Sequence, residues 1–225
     1  MENYISLLQE SPLFYGFCVE DIKKMCTCLA ACEREIEKDL FVFRAGDDVR
    51  FVYMILSGSM HIVDEDFWGN RSIIETMESC TLFGEAYSLS STERHLVSVI
   101  AAENSSILEI DPVRLFETCP NGCSCHSGLI KNVAYILSEK IVRLTEKLGH
   151  IAQRTIREKI LSYLSKCARE AQNSSFDIPY SRQQLADYLC IDRSALSHEL
   201  SKLQKLEMIR YNKNRFDLLE LESRY

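Results

Sequence analysis

The spacing of apolar residues changes twice along the chain, and each change predicts a different kind of structure. Up to about Cys32, apolar side chains recur at helical spacing, for example at Val19, Ile22 and Met25. After Glu33, short runs rich in β-branched and aromatic residues alternate with glycine turns such as Ser57-Gly58-Ser59. Short strands at this spacing are typical of an antiparallel sandwich or barrel. Near residue 127 the period becomes helical again.

One apolar stripe then repeats with a heptad period for three heptads, and we call it the heptad stripe. Its steps alternate between four and three residues, as in a coiled coil. Packing on the chain's own domain is the alternative, but we favour a homodimer interface. Gly149 is a poor helix former and predicts a hinge before a helix over residues 155–171. The predicted interface residues are Ile130, Ala134, Leu137, Ile141, Leu144, Leu148 and Ile151.

Residues 179–219 have the pattern of a helix-turn-helix. Ser181 and Gln184 form a capping box that begins a short helix. Cys190-Ile191-Asp192 is short enough to be the turn, and Asp192 is suited to cap the second helix. That second helix places leucines on one face and hydroxyls, an imidazole and cations on the other. The polar face suits base edges in the major groove.

A two-stranded wing is predicted after the second helix. Met208-Ile209-Arg210-Tyr211 and Arg215-Phe216-Asp217-Leu218 flank the turn Asn212-Lys213-Asn214, whose basic tip suits the phosphate backbone. Helix-turn-helix units also serve as protein-interaction modules, but the basic residues and the heptad stripe favour DNA. The predicted DNA contacts are Arg182, Arg193, Ser194, Ser197, His198, Ser201, Lys202 and Lys213.

The net charge of −7 hides an asymmetry along the chain. Residues 1–127 hold 9 Lys and Arg against 21 Asp and Glu, whereas residues 128–225 hold 17 against 12. An acidic front joined to a basic back indicates a sensor module that carries a phosphate-binding module. No apolar run approaches the roughly 18 residues that cross a bilayer, and the first residues lack a secretory pattern. We expect a soluble, cytoplasmic protein without a membrane partner.

Five segments match one known pattern: Phe43-Arg44-Ala45-Gly46-Asp47, Tyr53-Met54-Ile55-Leu56-Ser57-Gly58-Ser59, Phe83-Gly84-Glu85, Ser181-Arg182-Gln183-Gln184-Leu185-Ala186 and Asp192-Arg193-Ser194-Ala195-Leu196-Ser197. Together they resemble the Crp/Fnr family of bacterial transcription regulators. The resemblance implies an α+β protein with an N-terminal double-stranded β-helix (jelly roll), a long dimerisation helix and a C-terminal winged helix-turn-helix. We expect these parts at residues 1–126, 127–151 and 152–225.

The resemblance also implies partners and a mode of control. Such proteins are homodimers that bind near-palindromic double-stranded DNA, and RNA polymerase is a further candidate partner. A small-molecule effector or a redox change in the sensor controls operator affinity. The DNA-reading motif departs from the family at two positions, with His198 in place of the usual arginine and Cys190 in place of a customary glycine. The turn at Cys190 is therefore expected to be strained.

The family's contacts to cyclic nucleotides are incomplete in this chain. Nucleotide-binding members carry an Arg-Ser pair where this chain has Arg94-His95, about one residue early. The family's adenine-contacting Thr-Ser pair falls on Val142-Arg143. Several charge-assisted hydrogen bonds of roughly 1.5–3 kcal/mol each are lost, so we do not expect cyclic AMP as the ligand. The predicted site for an unidentified effector comprises Gly84, Glu85, Arg94, His95, Val142 and Arg143.

Four potential metal ligands lie within eight residues just before the heptad stripe: Cys119, Cys123, Cys125 and His126. Thiolate and imidazole suit zinc, iron or haem, which makes a metal- or thiol-based redox sensor the alternative function. The spacing C-x₃-C-x-C-H matches no standard zinc-finger half, and cysteine is among the most often buried residues. We therefore favour packed thiols over a metal site.

The alternative from another functional class is an enzyme, because the double-stranded β-helix is also the fold of metal-dependent oxygenases and isomerases. Such sheets need clustered His and carboxylate ligands. The strand-rich region contains only His61 and His95, without a His-x-His or His-x-Asp pair. Neither a Gly-x-Ser-x-Gly elbow nor a Walker loop occurs. We therefore expect a regulator without catalytic residues.

Overall fold

A computed structural model describes residues 4–66, 68, 71–89, 96–116 and 125–219. The chain divides into two compact units, and the boundary lies between Leu137 and Ser138. Each unit is described by itself. Within the described residues, no helix is both long enough and apolar enough to cross a membrane.

The first unit begins with helices and continues as two four-stranded antiparallel sheets. Helices α1 (Ile5–Glu10) and α2 (Val19–Cys28) are separated by a 3-10 turn at Pro12–Phe14. One sheet contains, in spatial order, β1 (Cys32–Ile36), β8 (Ser105–Ile110), β3 (Val52–Ser57) and β6 (Leu82–Phe83). The other contains β2 (Phe41–Phe43), β7 (Ser98–Ala101), β4 (Met60–Glu65) and β5 (Arg71–Met77). Further helices are α3 (Glu85–Ser88), α4 (Pro112–Phe116) and α5 (Cys125–Ile151), and α5 belongs to the second unit from Ser138 onward.

Strand β3 is apolar at every position from Val52 to Leu56 because both of its faces are covered. Val52 and Met54 belong to the core that α1, α2 and α5 share with the first sheet. Tyr53 and Ile55 point the other way, into the core between the two sheets. This two-residue alternation places one strand in two cores. The predicted jelly roll is confirmed.

The turn between β3 and β4 forms where the sequence predicts it. Gly58 has a φ of +79°, and a Cβ there would collide with the Ser105 side chain. Glycine is therefore required both by the backbone and by the neighbouring strand.

The second unit is built around helices of the predicted helix-turn-helix. Its elements are α6 (Ile156–Ala171), β9 (Ser175–Asp177), α7 (Arg182–Tyr188), α8 (Arg193–Lys205), β10 (Ile209–Asn212) and β11 (Arg215–Leu218). The strands form a sheet with the order β10-β11-β9. Its core brings together Leu164 of α6, Leu185 of α7, Leu200 of α8 and Phe216 of β11, all fully buried. Thr155 caps α6 through a capping box with Glu158.

Two predicted boundaries are wrong. Cys32 begins β1 instead of ending the helical region, and Ser175 begins β9 instead of lying in a loop. Both strands are short and gain their hydrogen bonds from distant partners, β8 and β11. Helix α5 runs through Gly149 and ends at Ile151, the last residue of the predicted dimerisation helix.

Candidate nucleic-acid interface

Side-chain caps set the start of both helices of the helix-turn-helix. The Ser181 hydroxyl accepts from the Gln184 amide, and the Gln184 side chain accepts from the Ser181 amide. Asp192 accepts from the Ser194 amide at 2.8 Å and from its hydroxyl at 2.7 Å. These bonds to Ser194 lower the pKa of Asp192. Cys190 in the turn has a φ of +52°, the left-handed region in which a residue other than glycine is strained, as expected from the sequence.

Helix α8 separates a buried face from an exposed face. Leu196, Leu200 and Leu203 are fully buried in the core of the second unit. The predicted DNA-contacting side chains of the opposite face are exposed: Arg193, Ser194, Ser197, His198, Ser201 and Lys202. A helix of this polarity presents donors, acceptors and cations together, as major-groove readout requires.

The serines of this face have their hydroxyl protons engaged. Ser197 donates to the Arg193 carbonyl and Ser201 donates to the Ser197 carbonyl, each at 2.9 Å. The lone pairs of these oxygens remain available, so in this arrangement they would accept hydrogen bonds from base amino groups.

Glu199 fastens α8 to α6. Its carboxylate accepts from Arg157 Nε at 2.8 Å and lies 3.5 Å from Lys202 Nζ. The hydrogen bond from Arg157 lowers the pKa of Glu199. Because Arg157 lies 42 residues before Glu199, the local pattern of α8 did not reveal this pair.

The wing has the predicted hairpin and one further strand. Strands β10 and β11 pair with Tyr211 opposite Phe216, and β9 pairs with the other edge of β11. Lys213 is exposed at the turn with a φ of +53°. Arg215 bonds Asp177 at 3.2 Å and Ser175 at 3.1 Å, which joins β11 to β9.

Arg182 behaves differently from the other predicted DNA contacts. Its Nη2 donates to the Lys213 carbonyl at 2.9 Å, and its guanidinium lies over the rings of Tyr211 and Phe216. The side chain is therefore engaged within the second unit.

The predicted effector residues are only partly described. Gly84 has a φ of +78°, and a Cβ there would lie 2.7 Å from the Tyr53 ring. Glu85 is buried at the first position of α3. Burial, followed by the charge of Glu85, raises the pKa of Tyr87. Arg94 and His95 lie outside the described residues. Val142 and Arg143 are exposed on α5.

Half of the candidate metal site also lies outside the described residues, namely Cys119 and Cys123. Cys125 is half-buried, and buried His126 contacts the Arg114 carbonyl through Nε2 at 3.2 Å. Across the part of the chain that the structure describes, no three His, Cys, Asp or Glu side chains are grouped to hold a metal.

The heptad stripe is covered at one end and open along its distal part. Leu137 packs against the core of the first unit. Ile141, Leu144 and Leu148 are 63%, 58% and 60% exposed. At Leu137 the structure therefore agrees with the alternative interpretation of the stripe, packing on the chain's own domain.

Comparison with known proteins agrees with this geometry. The family model "Cyclic nucleotide-binding domain" matches residues 33–120, and "Crp-like helix-turn-helix domain" matches residues 158–223. The transcriptional activator protein Anr of Pseudomonas protegens is 26% identical over 181 residues, which cover 78% of this chain and 72% of that protein.

Two solved structures share the fold at 20% sequence identity. The catabolite activator protein of Thermus thermophilus matches with a TM-score of 0.54 over 93% of this chain and 94% of that chain. The c-di-GMP responsive global regulator CLP of Xanthomonas campestris matches with a TM-score of 0.57 over 88% of this chain and 99% of that chain.

A sandwich of the cyclic nucleotide-binding type followed by a winged helix-turn-helix defines a DNA-binding transcription regulator. The chain belongs to the Crp/Fnr family of such regulators. The predicted family and fold are confirmed.

Proposed function

We propose that this protein is a homodimer that binds near-palindromic operators through α8 and the wing, under control of the N-terminal domain. The observation that carries this proposal is the exposed polar face of α8 opposite three fully buried leucines. Arg193 at the first turn is suited to read guanine, and the serines and His198 are suited to neighbouring base edges. Because the target is genomic DNA, we place the protein in the cytoplasm.

The exposed part of the heptad stripe supports the dimer. Three large aliphatic side chains at heptad spacing are more than half exposed on α5. Pairing two such helices would bury them in knobs-into-holes packing. A two-fold dimer then presents two α8 helices to successive major grooves, which explains the near-palindromic site.

Control by the N-terminal domain is the second part of the proposal. An unidentified small molecule other than cyclic AMP would favour the DNA-competent arrangement by binding it more tightly than the other arrangement. A redox change would instead favour that arrangement by altering the sensor itself. In this proposal residues 1–126 form the sensor domain, residues 127–151 the dimerisation helix and residues 152–225 the DNA-binding domain. RNA polymerase is a further partner to test.

Duplex binding over a range of salt concentrations tests the DNA proposal. The full-length protein should select a dyad-symmetric site from a random library and lose affinity steeply as salt rises. Arg193→Ala should cost about 1–3 kcal/mol on that site and relax its base preference. The control is Arg50→Ala, since this exposed arginine of the first unit pairs with Asp48. Equal affinity of the wild type for random duplex would contradict sequence-specific binding.

Metal analysis tests the metal-based form of the redox alternative. Anaerobically purified protein should contain less than stoichiometric metal and show no visible absorbance if a small molecule is the signal. Stoichiometric iron or zinc that is lost in a Cys125→Ser variant would instead establish the redox alternative.

A further inference from the structure

Arg182 is the one predicted DNA contact whose guanidinium donates to the wing. It stands at the first position of α7, yet its Nη2 donates to the carbonyl of Lys213, 31 residues later, at 2.9 Å. The Arg182 side chain therefore reaches the backbone of the wing tip at Lys213, the residue that is predicted to contact phosphate.

Two aromatic rings support the same side chain. The guanidinium carbon lies 5.0 Å from the centre of the Tyr211 ring and 5.5 Å from that of Phe216. These rings come from directly opposed positions of β10 and β11 and stack on each other. Both distances are within the range of a cation–π contact, and burial lowers the pKa of Arg182. The guanidinium thus lies over two rings close to the turn, while its Nη2 donates to a carbonyl of the turn itself.

The second carbonyl of the turn is held by the main chain. Asn214 accepts from the Ile178 amide at 2.9 Å, just beyond β9. The Lys213 carbonyl receives its described hydrogen bond from Arg182 alone. A hairpin tip with a positive φ at Lys213 is therefore fixed on one side by backbone and on the other by this single side chain.

We propose that Arg182 is a positioning residue that holds the wing tip where Lys213 contacts phosphate, and that it does not itself bind DNA. This inference rests on the proposed DNA interface. A phosphate contact requires only a positive charge, whereas this position also requires a planar donor that stacks on two rings. Lysine should therefore replace a phosphate-binding Arg182 and fail to replace a positioning one.

Hydrogen exchange on the full-length protein without DNA tests the positioning directly. In Arg182→Lys, amides of residues 210–217 should exchange at least about tenfold faster, while those of α8 keep their rates as an internal reference. Arg215→Ala is the matched control, since this wing arginine bonds Asp177 and Ser175 and not the turn. Unchanged exchange in Arg182→Lys would overturn the inference even if DNA binding proves correct.

A double-mutant cycle measures the coupling to DNA. The probes are the duplex selected by the wild type and a scrambled duplex of equal length. Arg182→Lys alone should lower the affinity for both duplexes about tenfold. Lys213→Ala should reduce the slope of log affinity against log salt by about 1 in the wild-type background, and should change it very little in the Arg182→Lys background. The ratio of the two affinities, which reports base reading by α8, should not change.

Two results would count against Arg182 as a positioning residue. Additive slope losses in the double variant, or wild-type affinity in Arg182→Lys, would show that Arg182 contacts phosphate independently. A wild type without salt-dependent duplex binding would instead overturn the proposed function, and the exchange experiment would still decide what Arg182 does to the wing.

Discussion

The two halves of α5 use apolar residues in different ways. In the first half, Leu129 and Val133 are fully buried in the core of the first unit. In the second half, Ile141, Leu144 and Leu148 are exposed. Both halves are apolar at helical spacing, but the described residues cover Leu129 and Val133 and leave Ile141, Leu144 and Leu148 exposed. A heptad pattern therefore identifies an apolar face of a helix without identifying what covers it.

A second stripe runs beside the heptad stripe and explains this contrast. Leu129, Val133 and Ile136 also follow steps of four and three, one residue before the heptad positions. The same steps continue through Lys140, Arg143 and Lys147 to His150. His150 is buried in the second unit, where it bonds Ser162 at 2.8 Å and contacts the ring of Tyr163. At its two ends this line of α5 packs against described residues of the chain, whereas Ile141, Leu144 and Leu148 of the heptad stripe are exposed.

The largest expected effect comes from a charge on the exposed stripe. Leu144→Glu would bury two carboxylates in the proposed dimer interface, so we expect a monomer and at least about a hundredfold loss of operator affinity. Sedimentation and fluorescence anisotropy measure these two changes. Tyr135→Glu is the control, because Tyr135 is 65% exposed on α5 but lies off the stripe. A dimeric Leu144→Glu variant would place the interface elsewhere.

A matched pair of leucines compares the two halves next. Leu129→Ala should lower the free energy of unfolding by about 2–5 kcal/mol, because it leaves a cavity in a closed core. Leu144→Ala should cost less in the monomer and should instead weaken dimerisation. Denaturant unfolding at several protein concentrations distinguishes these effects, since only the dimer term depends on concentration. If Leu144→Ala instead caused the larger loss of unfolding free energy and Leu129→Ala weakened dimerisation, the described first-unit core would not anchor α5.

A smaller effect concerns the buried end of the second stripe. Burial, followed by the charge of Lys166, lowers the pKa of His150. As the pH falls from 7 to 5, the unfolded chain binds the proton first, so the free energy of unfolding decreases. His150→Asn should remove this part of the pH dependence, so the free energy of unfolding of the variant should decrease less than that of the wild type between pH 8 and pH 5. The test is the change in denaturation midpoint between pH 8 and pH 5, compared with the wild type. Equal changes would show that His150 is not held neutral.

The smallest effect concerns the proposed hinge. Gly149 lies inside α5, and a Cβ there meets nothing within 4 Å. Gly149→Ala should therefore raise the free energy of unfolding by about 0.5–1 kcal/mol through helix propensity. If the helix must bend here for DNA binding, the same variant will also lower operator affinity. Thermal melting and anisotropy on one preparation measure both quantities.

The local features of the DNA-reading unit were accessible from the sequence. Ser181 and Gln184 cap one helix, Asp192 caps the next, and the leucines of α8 repeat on one face. Each of these depends on hydrogen bonds or periodicity within a few residues. The short strands β6 and β9 were not accessible, because two or three residues carry no period of their own.

The sequence by itself determined the helix caps, the turn glycines, the apolar faces and the order of the two domains, since all follow from near neighbours and residue type. Only the tertiary structure decided that Arg182 donates to the Lys213 carbonyl, that Arg157 pairs with Glu199, and that Leu129 rather than Leu144 lies in the core. The partners of Arg182 and Arg157 are distant in sequence. Local sequence shows which side chains can pack or form hydrogen bonds, but which residues they contact depends on how all the helices and strands pack together.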